Sequence, residues 1–504
     1  MITQDEAKQI QARVEFLERE TQHQKLMIAK LRHQLFGSKS EKVEILEAEQ
    51  AVFNEIEQEA NKATDQDLEN QTEVIAGYSR KKGRSSRKPF PENLEREVVE
   101  IDLPESEKIC PHDGTELELI GEEITEKLKT YPARSVVVEE KKKKYACPCC
   151  SQHVAQAKSN SILPKTIATP EILSYLMFSK FFQALPLYRL EELYKLQGIE
   201  LSRGLMANWL IKVSEKLQPV WNILEDWALA SGYMTIDATH VQVLKEPGRA
   251  AKSKSFMWAR GSPELGIVLF DYNASGGGDV AKKLMLDFRG ALQADAHKGY
   301  GALDRKLLLL LGCMMHARRR FHKAWLEANK QPGLAADALK MIKKIYSLEE
   351  AYKQQGLTAE RRKAARDFEV AKRMEKLLTW AKEKSTRVLK TSSIGNAIHY
   401  FINEYEELSA FLKNGRYEID NGWIERMIRK FAIGRNNWMF SSSVEGAKAS
   451  SLLYSLVITA KINGKDPFEV MTEVLRRLPL AQTVDDYEAL ARLLVNHAPA
   501  TMGL

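Results

Sequence analysis

Residues 232–300 are written largely in strand-forming pieces, and this stretch limits the possible folds more than any other. Met234-Thr-Ile-Asp237 leads into Val241-Gln-Val-Leu244, followed by Phe256-Met-Trp-Ala259 and Ile267-Val-Leu-Phe270. Each is a short run of β-branched and aromatic residues with turn residues between them, as in a meander. A helix is expected over residues 279–288, then a buried-type strand, Ala291-Leu-Gln-Ala-Asp295. In this reading Asp237 ends the first strand and Asp295 ends a later one. Two carboxylates at strand ends of one mixed sheet can converge on a divalent cation. Mg²⁺ prefers hard oxygen ligands and is usually held by few carboxylates plus substrate phosphate. Glu425, on a later helix, would complete a two-metal site of the kind that activates an attacking oxygen and stabilises a leaving one in phosphoryl transfer. Each acid alone has a plainer explanation, because strand ends and helix faces are commonly acidic.

The remainder of the chain reads as several further units, as expected above the roughly 250–300 residues at which single cores stop growing. Residues 1–62 read as helix. Ile10, Val14, Leu17, Ile28, Leu31 and Leu35 fit the a and d positions of a heptad, with Thr21 and Gln24 interrupting the seam. A dimerising coiled coil is the favoured reading over packing within the chain. Residues 63–94 form a linker whose basic run, Arg80-Lys-Lys-Gly-Arg84-Ser-Ser-Arg87-Lys88, holds no acid. Such a linker would attract phosphates without regard to base sequence.

Residues 95–163 contain four of the five cysteines. In a chain without a secretion signal, such clustering favours metal over disulfides. Cys110 and Asp113 stand on one turn, Cys147 and Cys150 on another, the arrangement of a zinc ribbon with one cysteine replaced. Either Asp113 or His112 would complete the site, or the fourth position is empty. Residues 164–231 read as helical. Leu187-Tyr-Arg-Leu-Glu-Glu-Leu-Tyr-Lys-Leu, Gln197-Gly198-Ile199 and the run from Leu201 to Leu210 resemble a helix-turn-helix, with Gly198 at the turn and Ser202 as N-cap. Arg203 and Asn208 would then be available to DNA. Residues 317–412 are long, charged and helical. No run approaches the ~18–20 apolar residues of a membrane span, and the N-terminus lacks signal-peptide order. A cytoplasmic, nucleoid-associated protein without membrane contact is expected.

Asp420-Asn421-Gly-Trp-Ile-Glu425-Arg426-Met-Ile-Arg429, continuing through Gly434-Arg435-Asn436-Asn437-Trp438-Met-Phe440, resembles the C-terminal signature of insertion-sequence-66-type transposases. The likeness extends to Tyr454-Ser455-Leu456, to Asp466-Pro467, to Leu35-Phe36-Gly37-Ser38 and to Cys313-Met-Met-His316-Ala-Arg318-Arg319. It implies a ribonuclease-H-like catalytic core in two parts, 232–316 and 413–462, interrupted by the helical insertion 317–412 and followed by a C-terminal helical segment, 463–504. The fold class is thus multidomain α/β, with a coiled coil, a zinc-ribbon-like β domain and a helix-turn-helix-like domain preceding the core. The resemblance assigns catalysis and Mg²⁺ (or Mn²⁺) to Asp237, Asp295 and Glu425. Asp420 competes for the third role: five residues apart on one helix, the two acids would point in different directions, and the resemblance favours Glu425.

Arg426, Arg429, Arg435 and Trp438 are candidate DNA contacts, with Asn437 and Arg318 to Arg320 as further possibilities. Cys313 and His316 read as support for the site. Three departures from the family pattern stand out: Ala238 after the first Asp, no arginine in Ser275-Gly-Gly-Gly-Asp279, and the incomplete cysteine set. The leading expectation is an enzyme that binds the terminal inverted repeats of its element, then cuts and joins strands, as a homo-oligomer on DNA with possible accessory proteins of the same element. The alternative is a DNA-binding protein that has lost catalysis.

Overall fold

The computed structural model describes residues 135–139, 141, 144–146, 154–156, 160–295 and 306–498. The chain divides into two compact units, Met1–Ala133 and Arg134–Leu504, and only the second contains described residues. The heptads, the basic linker, Cys110, His112, Asp113, Cys147 and Cys150 lie outside the described residues. Strands β1 (Lys144–Ala146) and β2 (Val154–Gln156) pair antiparallel on either side of the segment containing Cys147 and Cys150.

Helix α1 (Pro170–Met177) starts where Thr169 accepts the Ile172 N–H, with proline in the first turn. Helix α2 (Leu187–Leu196) ends at Gly198, whose φ of +73° gives the turn a backbone that glycine adopts freely. Helix α3 (Arg203–Ala230) is capped by Ser202, as its sequence suggests, and runs for 28 residues. Its apolar positions Met206, Trp209, Val213, Leu217, Val220, Leu224 and Trp227 recur every three or four residues and are all buried.

The sheet follows: β3 (Tyr233–Lys245), β4 (Lys254–Ser262), β5 (Ile267–Asn273), helix α4 (Gly278–Leu284), β6 (Gly290–Gln293) and β7 (Leu308–Leu311). Its order is β5-β4-β3-β6-β7. The first three strands are antiparallel neighbours, while β6 and β7 join in parallel. Two sequence readings change here. Met234 to Asp237 and Val241 to Leu244 are one strand, because β4 pairs with β3 without a break from Thr235 to Gln242. Asp237 therefore lies inside a strand and does not end it. The helix expected over 279–288 stops at Leu284, and the strand expected to reach Asp295 stops at Gln293.

Helices α5 (Met314–Glu327), α6 (Leu334–Gln354), α7 (Ala359–Ala365), α8 (Ala371–Ser385), α9 (Ser393–Asn403) and α10 (Tyr405–Ser409) come next. They bury Phe321, Ile342, Ile345, Met374, Leu377, Ile398 and Phe401 in a core of their own. Within this lobe the Glu349 carboxylate, 2% exposed, accepts from both Arg362 and Arg366 at 2.7–3.2 Å. Arg366 also donates to the carbonyls of Phe411, Asn414 and Tyr417, so one guanidinium holds the chain leaving the lobe.

Helix α11 (Gly422–Trp438), strand β8 (Ser441–Ser443) and helix α12 (Val444–Ile462) return the chain to the sheet, followed by α13 (Pro467–Arg477) and α14 (Val484–Arg492). β8 pairs with the far end of β3 and separates α11 from α12. Helix α12 is buried nearly all round and covers β5. Thr459 Oγ1 accepts the Val268 N–H at 3.1 Å and donates to the Val268 carbonyl, and Ser455 Oγ accepts the Phe270 N–H at 2.8 Å. The hydroxyls satisfy backbone groups that an edge strand would otherwise present for pairing.

Candidate functional site

The parallel register of β3 and β6 sets Tyr233 against Ala291, Met234 against Leu292 and Thr235 against Gln293. Continued by two residues, it brings Asp295 beside Asp237, since parallel neighbours lie ~4.8 Å apart. Asp237 sits where β3 loses its β6 partner but keeps β4, which faces it with Ala259. Asp295, two residues beyond the end of β6, acts electrostatically on Asp237.

Glu425 arrives from the opposite direction on the first turn of α11. The segment before that helix is tied down at several points. Gln293 Nε2 donates to the Glu418 carbonyl at 2.9 Å, and the Met314 N–H donates to the Ile419 carbonyl at 3.2 Å. Asn421, fully buried, donates through Nδ2 to the Ile236 carbonyl at 3.0 Å, and its N–H donates to Cys313 Sγ at 3.2 Å. These bonds fix the start of α11 one residue away from Asp237 along β3. Glu425 then stands beside His316, whose Nδ1 lies 3.9 Å from Glu425 Oε1 and 3.5 Å from Asp295 Oδ1. Arg319 Nη2 is 3.6 Å from Glu425 Oε2.

Asp420 is occupied elsewhere. Its carboxylate accepts from the Tyr346 hydroxyl at 2.9 Å and from the Gly422 N–H at 2.9 Å. Burial and this carboxylate push the Tyr346 phenol above its usual range. The structure therefore separates the two acids by environment: Asp420 is bound into the helical lobe, Glu425 faces the other two carboxylates.

The electrostatics show a cluster short of positive charge. Burial, reinforced by Glu425 and Asp295, pushes the Asp237 carboxyl up to about 7, although the Ala238 N–H donates to it at 2.7 Å and Arg319 opposes the shift. Glu425 Oε1 and His316 Nδ1 are buried without a hydrogen-bond partner. Convergent carboxylates with an unsatisfied oxygen fit a divalent cation that takes oxygen ligands. Cys313, His316 and Glu425 also offer atoms within 4.8 Å of one another. Burial, however, pushes the Cys313 thiol up to about 12, leaving a neutral sulfur that already accepts from Asn421. That trio suits a hard cation poorly.

A pH dependence follows from Asp237. An acid with a raised native pKa binds more protons folded than unfolded between about 4 and 7, so its contribution to stability declines as pH rises through that window. In chelator, the wild type is expected to lose more melting temperature between pH 5 and pH 8 than Asp237→Asn. Equal losses would mean that Asp237 is not the strained group.

The remaining candidates divide. Arg203 and Asn208 are exposed on the first two turns of α3. Arg426 and Arg429 are exposed on α11, and neither has an ion-pair partner among the described residues. Arg435 is drawn inward, donating to Thr239 Oγ1 at 3.2 Å and to the His240 carbonyl. Trp438 packs edge-on against Phe431, with the Lys180 ammonium 5.4 Å from its ring, and Asn437 donates to the Ala184 carbonyl. Arg320 stacks 4.0 Å from the Tyr400 ring and donates to Asn396, whereas Arg318 is exposed. The sequence reading missed Gln293, Tyr346, Tyr400 and the positioning of Asn421. Their roles depend on contacts between segments far apart in the chain, and no local pattern announces them.

Among the described residues no helix is long and apolar enough to cross a membrane. The family profile described as Transposase IS66 family matches residues 165–449, spanning the sheet, the helical lobe and α11. Three more match in chain order: Transposase C of IS166 homeodomain over 23–99, zinc-finger binding domain of transposase IS66 over 107–151, and IS66 C-terminal element over 455–491. Two similar curated proteins are the uncharacterized proteins y4hP and y4qI of Sinorhizobium fredii. They are 27% and 28% identical over 480 and 476 residues, covering 90% of this chain and 85% of each relative. A third from the same organism, y4jD, is 29% identical over 411 residues, covering 78% of this chain and 79% of its own. The chain belongs to the IS66 family of transposases, and that membership implies transposition, DNA binding and a divalent metal.

Proposed function

We propose that the protein binds the terminal inverted repeats of its insertion sequence and catalyses strand cleavage and strand transfer, with Asp237, Asp295 and Glu425 holding Mg²⁺ or Mn²⁺. The observation that carries this reading is the meeting of three carboxylates from β3, from the chain just beyond β6 and from α11, with Asp237 pushed up to about 7 by burial and its two acidic neighbours. Three antiparallel strands followed by two parallel ones, in the order β5-β4-β3-β6-β7, support reading the core as ribonuclease-H-like. On this reading the lobe from α5 to α10 is the helical insertion.

In cleavage, water adds to the phosphorus at the element end as the bond to the 3′ oxygen breaks and that oxygen takes up a proton. In transfer, the freed 3′-hydroxyl loses its proton, bonds to a target phosphorus and displaces the target's own 3′ oxygen. The divalent metal supplies charge that favours the attacking oxygen and stabilises the leaving one. Asp237 would have to be ionised to hold the cation with Asp295 and Glu425. His316 lies between Asp295 and Glu425, with Nδ1 3.5 Å and 3.9 Å from their oxygens, and Arg319 Nη2 lies 3.6 Å from Glu425 Oε2, so both side chains face the carboxylate cluster. Arg426 and Arg429, exposed on α11, would contact the phosphates.

Residues 317–412 hold 20 Lys and Arg against 12 Asp and Glu, more than the whole chain's net +7. That excess suits a lobe lying along DNA. Arg203 and Asn208 serve as contacts of the helix-turn-helix-like pair. Zinc is assigned to Cys110, Asp113, Cys147 and Cys150, pairing of ends to the N-terminal coiled coil, and assistance to accessory proteins of the element. Arg435 and Trp438, engaged within the protein, are left out of the DNA contacts.

The test uses duplexes of the repeats that bracket the gene, with Mg²⁺, comparing wild type and Asp295→Ala. Wild type is expected to nick at the element end and join the product to target DNA, and the variant to bind without cutting. Binding without cutting by the wild type would favour a DNA-binding protein, and cutting without joining or end preference a nuclease.

A further inference from the structure

The outward side of α11 carries a pattern that neither the core nor the carboxylate site explains. Arg426, Arg429, Ile433 and Asn436 follow one another at spacings of three, four and three, so they form one stripe, and all four are exposed. Arg429 stands one turn beyond Glu425. The stripe ends at Met439 and Phe440, which are 68% and 43% exposed, with Ile433 at 50%. Exposed apolar side chains rimmed by polar ones mark a contact site when they form one patch.

The backbone there is unusual. Met439 has φ +66° and ψ −49°, and the Phe440 N–H donates to the Trp438 carbonyl at 2.8 Å. This is a γ-turn of the rare positive-φ kind, strained for any residue with a side chain. It is gripped from both sides. Trp438 is fixed against Phe431 and Lys180, Arg435 is tied to β3, and β8 begins at the next residue, Ser441. The result is a stiff corner that turns a methionine and a phenylalanine toward solvent.

We infer that Met439 and Phe440 form an apolar wedge that enters DNA and unstacks one base step at a fixed distance from the cut. The inference rests on the transposase reading. Thirteen residues separate Glu425 from Trp438, so the helix spans about 20 Å. Laid along a duplex at 3.4 Å per base pair, that length covers about six base pairs, so the wedge falls within about six base pairs of the scissile phosphate. The occupant is DNA because the approach along α11 is lined by Arg426 and Arg429, which lack ion-pair partners among the described residues. Phenylalanine and methionine are also among the side chains that DNA-bending proteins insert between base steps.

Terminal-repeat duplexes carrying 2-aminopurine at single positions, three to ten base pairs on either side of the cleaved phosphate, provide the probe. Full-length Asp295→Asn with Mg²⁺ keeps the DNA intact. Fluorescence is expected to rise several-fold at one step within about six base pairs of the cut. Phe440→Ser combined with Met439→Gly, which relaxes the backbone, should retain the melting temperature and lose that signal. In an otherwise wild-type chain the same pair should slow cleavage by about tenfold, the scale of one lost base contact. A bound, cutting wild type with no responsive position would overturn the wedge, as would a double variant that keeps the signal. So would a variant whose only change is its oligomeric mass, because the patch would then face protein. If the wild type binds but never cuts, the transposase reading fails while fluorescence still decides the wedge.

Discussion

Glu425→Gln is expected to reduce strand cleavage by on the order of 10³-fold or more, while Asp420→Asn leaves the chemistry largely intact. The two acids are five residues apart and look equivalent in sequence, so the pair is a sharp test. Glu425 Oε1 is buried without a hydrogen-bond partner beside His316 and Asp295, and its charge helps raise the Asp237 carboxyl. Removing that charge weakens the cation site and leaves the fold in place. Asp420 instead accepts from Tyr346 and the Gly422 N–H. Its amide variant should show as a lower melting temperature, worth about 1–3 kcal/mol. Single-turnover cleavage with saturating Mg²⁺ separates them. A fully active Glu425→Gln would remove it from the site, and an inactive but stable Asp420→Asn would promote its competitor.

The second large effect concerns stability. Glu349→Ala is expected to cost about 3–5 kcal/mol, because it strands two arginines, one of them wholly buried. The damage should reach the site as well. Arg366 spans from Glu349 to the carbonyls of residues 411, 414 and 417, the stretch that delivers Glu418, Asp420 and Asn421. Thermal melting reads the first effect. Cleavage at a temperature where the variant is still folded reads the second, which should be a loss beyond the unfolded fraction. A melting temperature unchanged from wild type would show that the network is solvated in solution.

Several features were legible from residue order, for identifiable reasons. The strand pieces from 233 to 273 announce themselves through β-branched and aromatic runs, and Gly198 and Ser202 mark a turn and a cap through chemistry local to the backbone. Strand β7 was not legible, since Leu307 to Leu311 is an unbroken leucine run with neither a helical nor a strand period. Strands covered on both faces often read this way. Asp237 was placed at a strand end because Ala-Thr-His breaks the apolar pattern after it, yet β4 continues to pair there. The block from Gly434 to Phe440 stood out as a unit, but sequence could not say which residues face inward. Packing decides that. A Cβ on Gly434 would lie 2.2 Å from the Tyr454 hydroxyl, so this turn of α11 is pressed inward while Met439 and Phe440 project.

The delivery of Glu425 by a segment far from Asp295 has a consequence for the order of synthesis. About 130 residues separate the second acid from the third, which at 5–20 residues per second is roughly 6–26 s of translation. Until the lobe is complete and residues 418–421 are tied to Ile236, Gln293 and Cys313, a nascent chain holds two acids but not the third. Truncated products ending anywhere in the lobe should likewise bind DNA through their basic surface without cutting it. The topology itself would thus keep unfinished copies from damaging the genome that encodes them.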